Sequence, residues 1–527
     1  MEEKGLSLEE KGLSLLKRGR KGMARVIFSR SGLILALLLV QAVLLFDMFG
    51  WFEKFLPHIV GGSVLLTAGM VLYLLNSSID PTAKITWLVI VMMLPVFGAL
   101  LFWYTQSDIG HRAVKNRVEH LRIQTQDKLD QPDTAQALEK ENPGAANLAR
   151  YIRHCGCHPV YDRTEVVYFP TGQEKWEEML KQLEQAEKFI FLEYFIIDEG
   201  LMWGKVLEIL ARKAAEGVDV RVMYDGTCEL TTLPHDYPKR MRALGIRCKM
   251  FSPLTPFIST HYNYRDHRKI LVIDGHTAFT GGVNLADEYI NQKQRFGQWK
   301  DTAIMLKGEA VKSFTLLFLQ MWGVTERHTD FDRFLQVPAP VYEDAKGYVI
   351  PYGDSPLDEN KLGERVYMDI LNRAQRYVHI MTPYLILDGE METALKFAAE
   401  RGVDVTLILP GVPDKKSAYA LAKGHFASLL RSGVHIYTYT PGFVHAKVFV
   451  SDDREAVVGT INLDYRSLYH HFECAAYLYG TDCIPKIEED FQNALVECQQ
   501  VTMETVRNEK WIWKLTGALL KVAAPLL

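Results

Sequence analysis

Two stretches of the sequence carry the same reactive side chains at the head of an apolar run. In the first, DHRKILVIDG, His267 and Lys269 stand two residues apart, and in the second, VHAKVFVSDD, His445 and Lys447 do the same. The Ile, Leu and Val residues that follow predict a strand, and side chains two apart on a strand project from the same face. Each predicted strand therefore presents an imidazole beside an ammonium group.

An asparagine follows each histidine at the same distance. Asn284 in TGGVN and Asn462 in VGTIN each lie 17 residues after their histidine. If a two-residue turn comes directly after the aspartate of each run, at 275–276 and 453–454, antiparallel pairing places each asparagine opposite its own histidine. The glycines beside the asparagines would leave room for a ligand to approach the backbone. Each hairpin would thus deliver His, Lys and Asn to one place.

Two such sets suit an anion with tetrahedral oxygens, which means a phosphate group. Two ammonium groups and two amides can neutralise its oxygens, while one imidazole attacks phosphorus and the other donates a proton to the leaving group. This chemistry requires no metal ion and no other cofactor. The predicted phosphate-binding residues are Lys269, Asn284, Lys447 and Asn462.

Carboxylates are also required, because a histidine that acts as nucleophile or acid needs a partner on its other ring nitrogen to fix its tautomer. Asp301 in WKDT and Glu473 in HFEC are the downstream candidates for this orienting role. Asp274 and Asp452 lie seven residues after the two histidines, on the opposite face of a regular strand. Alternation therefore favours a turn-forming or structural role for these two aspartates.

The reactive stretches lie in two halves of the chain that repeat each other. AAEGVDVRVMYDG in the first half is answered by AAERGVDVTLILPG in the second, and EYFIIDEG is answered by PYLILDGE. In both halves apolar runs alternate with helical stretches, a pattern typical of βαβ units around a buried sheet. We therefore predict two related α/β domains, at 161–340 and 341–505.

Apolar sequence dominates the region before these domains. The segments 31–52, 59–79 and 85–107 predict two or three transmembrane helices, since the last two are uncharged and about 20 residues cross a bilayer. The first segment carries Asp47 and is a span, a re-entrant piece or an interfacial helix. Basic residues flank the region on both sides, which favours cytoplasmic catalytic domains, although an odd number of spans cannot satisfy both flanks.

The remaining segments are assigned from their composition. The C-terminal sequence KWIWKLTGALLKVAAPLL suits an amphipathic helix, either in a membrane interface or docked on the protein's own surface. The predicted order is a basic segment at 1–30, the membrane region at 31–108, a polar linker or loose helical connection at 109–160, the two domains, and the amphipathic segment at 506–527.

Composition argues against several other classes of protein. The formal net charge of -4 gives no reason to expect a nucleic-acid partner. Seven cysteines, scattered singly apart from Cys155 and Cys157, do not look like a disulfide framework. The stretch HCGCH at 154–158 places its potential ligands too close together to surround one ion, so we predict a polar loop there.

The motifs resemble those of the phospholipase D superfamily, in which HxKxxxxD occurs twice in a pseudo-symmetric pair of α/β domains. More narrowly, the chain is similar over nearly its whole length to bacterial cardiolipin synthases. The similarity is carried by NYRDHRKILVIDG, GGVNLADEY, FVHAKVFVSDD, VGTINLDYRS and PTAKITWLVIVMMLPVFGALLFWY. It implies two phospholipase D-like domains, with mixed sheets flanked by helices, behind an N-terminal transmembrane region.

The resemblance also implies a reaction in a bacterial cell membrane. His267 would attack the phosphodiester of one phosphatidylglycerol, and His445 would protonate the departing glycerol. A second phosphatidylglycerol would then displace the histidine and yield cardiolipin. The motif counts Asp274 and Asp452 among the catalytic residues with the His–Lys pairs, and the family's orienting carboxylates would be Asp301 and Glu473.

Some positions depart from the family pattern, and one alternative reaction fits the same motifs. Lys300, Ala303, Lys415 and His471 stand where relatives commonly carry Arg, His, His and Asn. A membrane-bound phospholipase D would pass the phosphatidyl group to water, whereas anchoring at the bilayer favours a lipid alcohol as acceptor. Anchoring also counts against a nuclease, which needs a basic channel for its strand. Both complete His–Lys pairs count against a non-catalytic scaffold.

Overall fold

The computed structural model describes most of the chain from residue 62 onwards. The predicted basic segment 1–30 and nearly all of the first apolar segment, 31–52, lie outside the described residues. The described ranges are 62–106, 112–130, 133–253, 264–358 and 360–523, with a few isolated positions between 39 and 50.

The two predicted α/β domains are the two halves of the catalytic region, and the first half is built on a seven-stranded mixed sheet. Its strands are β1 (Glu165–Phe169), β2 (Phe189–Tyr194), β3 (Asp219–Asp225), β4 (Arg247–Phe251), β6 (Lys269–Ile273), β7 (Thr277–Gly281) and β9 (Ala303–Lys307). They lie in the order β1-β9-β7-β6-β2-β3-β4. The β2, β3 and β4 strands are parallel, and every other neighbouring pair is antiparallel.

The second half repeats this arrangement. Its strands are β10 (Tyr348–Asp354), β11 (Tyr377–Met381), β12 (Asp404–Pro410), β13 (His435–Tyr439), β15 (Val448–Ser451), β16 (Glu455–Gly459), β17 (His471–Tyr479) and β18 (Cys498–Val501). Their order is β10-β17-β16-β15-β11-β12-β13-β18, so seven strands follow the order of the first sheet and β18 extends the edge. Near-continuous burial along β2, β12 and β17 explains their long apolar runs.

Three short strands join the two halves. The strand β5 (Arg265–Asp266) pairs in parallel with the start of β17, and β8 (Gln298–Lys300) pairs in parallel with β14 (Gly442–Val444). Strand β5 ends directly before His267, β14 ends directly before His445, and β8 ends directly before Asp301. The halves are therefore hydrogen-bonded to each other at the site and not only packed side by side.

Helices cover both sheets and fill the space between them. The helix Val311–Gly323 is buried on nearly every side and contacts strands of both halves, which makes it the centre of a shared apolar core. The other helices of the catalytic region are Gly172–Glu184, Leu201–Ala215, Cys228–Thr231, Tyr237–Ala243, Asp332–Leu335, Leu362–Arg373, Gly389–Glu400, Lys416–Arg431, Ile484–Val496 and Met503–Asn508.

The stretch predicted as a linker, 109–160, is more ordered than its composition suggests. It forms the helices Arg112–Thr125, Thr134–Glu141 and Pro143–Gly156. The last of these buries one apolar face in the core of the second half, including Leu148. The interpretation as a loose connection is corrected, because narrow apolar faces on polar helices can still be packed against a domain.

The membrane region also differs from its prediction. Apolar sequence at 62–106 forms three helices, Gly62–Asn76, Pro81–Met93 and Pro95–Gln106. The single helix predicted at 85–107 is broken at Leu94, because Pro95 lacks the backbone N–H that a continuous helix uses and disfavours helical geometry before it. Within the described residues, every helix is too short or too polar to span a bilayer.

Candidate active site

The two histidines are held by strands of opposite halves. His267 follows β5, and its backbone N–H donates to Phe472 O at 2.9 Å. His445 follows β14, and its backbone N–H donates to Lys300 O at 2.7 Å. Each histidine backbone is therefore fixed by the residue that precedes a predicted carboxylate in the other half.

Both predicted carboxylates reach a histidine across this junction. His267 Nδ1 lies 2.9 and 3.0 Å from the oxygens of Glu473, and His445 Nδ1 lies 2.7 Å from Asp301 Oδ2. Glu473 and Asp301 are fully buried. Asp301 and Glu473 are the carboxylates predicted to orient the histidines, and in the structure each one contacts the histidine of the other half.

Burial favours the neutral form of both imidazoles before substrate binds. Loss of hydration lowers the pKa of His267 well below its ordinary value, against the opposing effect of Glu473. The pKa of His445 is lowered in the same way, by burial and then by Lys447 and Lys269. A neutral imidazole carries one ring proton, so the partners of Nδ1 decide which nitrogen bears it.

The two carboxylates differ in their ionisation. Burial raises the pKa of Asp301 to about 6, despite the nearby Lys447. Burial also acts to raise the pKa of Glu473, but the combined effect of His267 and His471 outweighs burial and holds this pKa below its ordinary value, so the carboxyl stays ionised. The Thr460 hydroxyl also donates a hydrogen bond to Glu473 Oε2.

The two lysines lie beside the histidines and are almost fully buried. Lys269 Nζ donates to His267 O at 2.6 Å, and Lys447 Nζ donates to His445 O. Burial lowers the pKa of Lys269 to about 8 and the pKa of Lys447 to about 7. A bound phosphate would offset this loss of hydration, so both groups are suited to hold an anion.

The aspartates of the two motifs lie at the other end of their strands, away from the histidines. Asp274 accepts from the backbone N–H groups of residues 187, 188 and 189 at 2.7 to 2.8 Å. Asp452 accepts from those of residues 375, 376 and 377 at 2.8 to 3.0 Å. Counting Asp274 and Asp452 as catalytic is therefore corrected, and the turn-forming role that strand alternation favours matches their contacts.

The hairpin register is shifted by one residue from its prediction. Ile273 pairs with Thr277 and Ser451 pairs with Glu455, so each turn holds three residues instead of two. Asp274 and Asp452 begin these turns with a φ of 53°, a left-handed conformation that aspartate tolerates. The predicted pairing of each asparagine directly opposite its histidine is therefore wrong.

Both asparagines are nevertheless buried. Asn284 accepts from Ile196 N–H at 3.0 Å and donates to Tyr289 OH at 2.7 Å. The Tyr289 ring in turn packs edge-on against His445, with 5.4 Å between ring centroids. Asn462 is 4% exposed, and its Oδ1 has no hydrogen-bond partner among the described residues. Asn284 thus contacts the site through Tyr289, while Asn462 keeps an open acceptor.

Gly282, two residues before Asn284, was predicted to leave room for a ligand, but it leaves room for a different group. A Cβ on Gly282 would lie 2.0 Å from Asp301 Oδ1 and 2.8 Å from His445 O. The missing side chain therefore makes room for the carboxylate rather than for a ligand. Thr460 occupies the corresponding place in the second half, where its hydroxyl contacts Glu473.

Sequence reasoning assigned no role to His471 or Tyr289. His471 is 7% exposed, lies 5.2 Å from His267 between ring centroids, and has its Nδ1 3.5 Å from Glu473 Oε1. Its departure from the asparagine common in relatives was the available signal. Tyr289 lies in the quoted motif GGVNLADEY, but only the fold shows its contact with His445.

Comparison with known proteins identifies the family to which the chain is similar. The family model described as "Cardiolipin synthase, PLD-like domain" matches residues 179–322 and 367–495. A cardiolipin synthase of Geobacillus sp. is 33% identical, with 94% of this chain and 99% of that protein covered. An uncharacterised protein of Streptococcus mutans serotype c is 58% identical, with 87% of this chain and 100% of that protein covered.

A solved structure shows the same architecture at low sequence identity. The phosphatidylserine synthase of Haemophilus influenzae is similar in fold, with a TM-score of 0.55, 15% identity, and 73% of this chain and 98% of that chain covered. Fold and paired histidines together define a protein of the phospholipase D class. Within that class, the chain belongs to the family of cardiolipin synthases with PLD-like domains.

Proposed function

We propose that the protein transfers a phosphatidyl group from one phosphatidylglycerol to another, producing cardiolipin and glycerol. Family membership supports this activity, and the paired histidines with their exchanged carboxylates support its two-step course. The observation that carries the proposal is that each half supplies the carboxylate for the other half's histidine. Neither half is therefore a complete site alone.

The first step forms a covalent intermediate on His267. Its Nε2 attacks the phosphorus of the first phosphatidylglycerol, and the bond from phosphorus to the glycerol headgroup oxygen breaks. The negative charge of the bound phosphodiester favours the doubly protonated form of His445. This imidazolium gives its Nε2 proton to the departing oxygen and becomes a neutral imidazole, so glycerol leaves as a neutral alcohol. Lys269 and Lys447 stabilise the negative charge on the phosphoryl oxygens during the transfer.

The second step reverses these roles. The hydroxyl of a second phosphatidylglycerol gives its proton to His445 and attacks phosphorus, and the bond from phosphorus to His267 Nε2 breaks. Cardiolipin leaves, and both histidines return to their starting protonation states. No proton or electron is gained overall.

Contacts at Nδ1 support His267 as the nucleophile. Its Nδ1 faces the two oxygens of ionised Glu473, so the ring proton lies on Nδ1 and the lone pair is on Nε2. His445 Nδ1 lies near a donor as well as an acceptor, because Lys447 Nζ is 2.9 Å away. A general acid needs the imidazolium with a proton on both ring nitrogens, and ionised Asp301, 2.7 Å from Nδ1, stabilises that form of His445.

We place this reaction at a bacterial cell membrane. Exposed apolar side chains cover the helices of 62–106 and the C-terminal helix Trp511–Ala523. The C-terminal helix packs against Lys416–Arg431 and contacts Pro81–Met93, so these apolar surfaces adjoin. Among these side chains are Leu65, Leu72, Met92, Met93, Trp103, Trp511, Ile512 and Leu519, each at least 56% exposed.

The position of these helices also suits a lipid substrate. Tyr465 of the motif NLDYRS donates to Asp80, which lies between the helices Gly62–Asn76 and Pro81–Met93, at 3.5 Å. Leu520 packs against the apolar cluster of Leu421 and Tyr465. Apolar helices thus adjoin a segment that follows Asn462 directly. Two or three crossings within 31–108 and catalytic domains on the cytoplasmic side stay predictions, which protease protection of sealed vesicles would test.

A product assay tests the proposed reaction. Purified full-length protein in detergent is given phosphatidylglycerol with EDTA, beside His267→Ala and His445→Ala. We expect cardiolipin and glycerol in equal amounts from the wild type and neither product from the variants. Phosphatidic acid without cardiolipin would mean that water is the acceptor, and the activity would then be that of a membrane-bound phospholipase D.

A trapping experiment tests the assignment of the nucleophile. Phosphatidylglycerol labelled in its phosphate is mixed with protein, the reaction is quenched in alkaline denaturant to preserve phosphohistidine, and the labelled peptide is identified. We expect the label on the peptide with His267. Label on the peptide with His445 would reverse the two roles while leaving the overall reaction intact.

A further inference from the structure

His471 is a buried histidine whose Nδ1 faces Glu473 Oε1 at 3.5 Å, beyond a normal hydrogen-bond length. Its side chain is 7% exposed, and neither Nδ1 nor Nε2 has a hydrogen-bond partner among the described residues. A buried polar group without a partner is costly, so such a group points to a ligand. The proposed reaction assigns nothing to this histidine.

Two further ligand atoms lie within reach of His471. Among the described residues, the one group of three or more His, Cys, Asp or Glu side chains close enough to hold a metal ion is His267, His471 and Glu473. One ligand atom from each lies within 4.8 Å of the others, and all three residues are buried. Unlike a cluster of surface carboxylates, this group combines two imidazoles with one carboxylate.

We propose that these three residues form an inhibitory binding site for a divalent transition metal of the zinc class. Zinc bonds of about 2.0–2.2 Å in tetrahedral geometry place neighbouring ligand atoms about 3.3 Å apart. Glu473 Oε1 lies 2.9 Å from His267 Nδ1 and 3.5 Å from His471 Nδ1, so small side-chain shifts suffice. Two imidazoles and a carboxylate with one open position are a known zinc ligand set.

Inhibition follows from the tautomer that the metal selects. A metal ion on His267 Nδ1 takes the lone pair of that nitrogen, which leaves the ring proton on Nε2. With its proton on Nε2, the imidazole has no lone pair with which to attack phosphorus. The metal also takes the carboxylate of Glu473 away from the hydrogen bond that orients the nucleophile. This consequence rests on the proposed function, whereas the metal site itself does not.

His471 makes the site specific to this chain and to relatives that share the histidine. An asparagine at this position, as the family resemblance leads us to expect, would offer an amide, which is a much weaker zinc ligand than imidazole. His471→Asn should therefore remove the metal site. His470→Asn is the matched control, because this neighbouring histidine lies outside the three-residue group.

Cobalt titration of the full-length protein in detergent, stripped of metal with EDTA and then dialysed, tests the site. We expect visible d–d absorption that saturates at one Co²⁺ per chain and is displaced by Zn²⁺. In His471→Asn the affinity should fall at least about tenfold, since even an outer-shell change costs that much. His470→Asn should bind as the wild type does. No saturable absorption, or equal affinity in His471→Asn, would overturn the proposal.

A second measurement needs no variant and covers the case in which His471→Asn fails to fold. The X-ray absorption spectrum of zinc-loaded wild type should show two imidazole ligands, and a spectrum without imidazole would overturn the site. Cardiolipin formation should fall with added Zn²⁺ and recover with EDTA. Activity that Zn²⁺ raises would overturn the inhibitory role. Absence of cardiolipin even with EDTA would instead reject the proposed function, while the cobalt titration still decides the site.

Discussion

Glu473 lies 2.9 Å from His267 Nδ1, although the two residues are 206 positions apart and belong to different halves of the chain. The contact depends on the short pairing of β5 with β17, which places the backbone N–H of His267 on Phe472 O. The orientation of the proposed nucleophile is therefore coupled to the packing of one half against the other. A substitution that disturbs the pairing of β5 with β17 should therefore lower the rate of catalysis even when both sheets stay intact.

Replacing Glu473 with Gln should nearly abolish activity while keeping the fold. An amide can hydrogen-bond to the imidazole from either end, so it no longer fixes the proton on His267 Nδ1. The corresponding change in a serine protease triad costs about 10⁴-fold in kcat, and we expect a loss of about 10³–10⁴-fold here. The measurement is kcat for cardiolipin formation, with thermal unfolding as a check of the fold.

Glu488→Gln is the matched control for this prediction. Glu488 also lies 2.9 Å from a histidine Nδ1, that of His379, but this pair sits on β11 and the helix Ile484–Val496 and is not part of the proposed site. The control should keep kcat within a few-fold of the wild type, as about 1 kcal/mol of hydrogen bonding affects only stability. Equal losses in both variants would show that Glu473 acts only through the fold.

Much of this site can be predicted from the sequence because the chemistry constrains it strongly. A reactive histidine needs a carboxylate, and WKDT and HFEC offered Asp301 and Glu473 at a suitable distance downstream. Which carboxylate serves which histidine could not be predicted. That pairing depends on strands of two and three residues, β5 and β8, which are too short for a periodic pattern to reveal.

The hairpin register shows a second limit of the sequence. A two-residue turn was predicted because Gly275 follows Asp274, a common signal for such a turn. The structure instead starts each three-residue turn at the aspartate, whose carboxylate accepts hydrogen bonds from three backbone N–H groups at and just before the start of the neighbouring strand. This long-range contact outweighs the local turn preference, and it moves the asparagines one position relative to the histidines.

Composition alone also misjudged the segments before the catalytic halves. In 109–160 the many charged residues concealed narrow apolar faces, and the buried Leu121 and Leu138 show that these faces pack. In 85–107 the hydropathy was high throughout, but Pro95 ends the preceding helix at Leu94. The average polarity of a segment therefore did not predict its structure in either case. Packing depends on whether one face of the helix is apolar, and the length of a helix depends on whether each residue has a backbone N–H to donate.

Asp274→Ala should destabilise the protein without removing the chemistry. The substitution leaves three backbone N–H groups without an acceptor, and Asp274 is 4% exposed, so water replaces the carboxylate poorly. We expect the free energy of unfolding to fall by about 3 kcal/mol, while the protein that stays folded keeps its kcat. Urea unfolding at fixed detergent concentration, followed by fluorescence, measures the change.

Asp452→Ala provides the comparison for Asp274→Ala. Its contacts to residues 375 and 376 are solvent-exposed, so water can satisfy the freed N–H groups and the loss should be about 1 kcal/mol. A loss of kcat in either variant as large as that of His267→Ala would mean that the aspartate takes part in the reaction. Such a result would restore both aspartates to the catalytic set.

Gly282→Ala should displace the carboxylate that orients His445. The added Cβ would lie 2.0 Å from Asp301 Oδ1, well inside van der Waals contact, so the carboxylate must move. A shift of about 1 Å at a reacting group costs about 10²-fold in rate, and we expect a fall in kcat of that size. Gly204→Ala is the control, since nothing lies within 4 Å of its Cβ, and it should keep full activity. Unchanged kcat in Gly282→Ala would mean that Asp301 does not need its present position.

The pH dependence of the reaction should be narrow and should shift when substrate binds. Asp301, with a pKa of about 6, must be ionised, so kcat/KM should fall as the pH drops below about 6. Lys269 and Lys447, with pKa values of about 8 and about 7, must be protonated, so kcat/KM should also fall as the pH rises above about 7 to 8. An ordinary lysine would keep its charge to about pH 10.

A phosphodiester bound beside the two lysines adds negative charge and favours their protonated forms, which raises their pKa values. The alkaline limb of kcat, which reports on the enzyme with substrate bound, should therefore lie at higher pH than the alkaline limb of kcat/KM. Asp301→Asn should lose the acid limb of the profile while keeping the alkaline one. Rate measurements between pH 5 and pH 10 in one buffer mixture test both statements, and coincident alkaline limbs for kcat and kcat/KM would show that the lysines do not hold the phosphate.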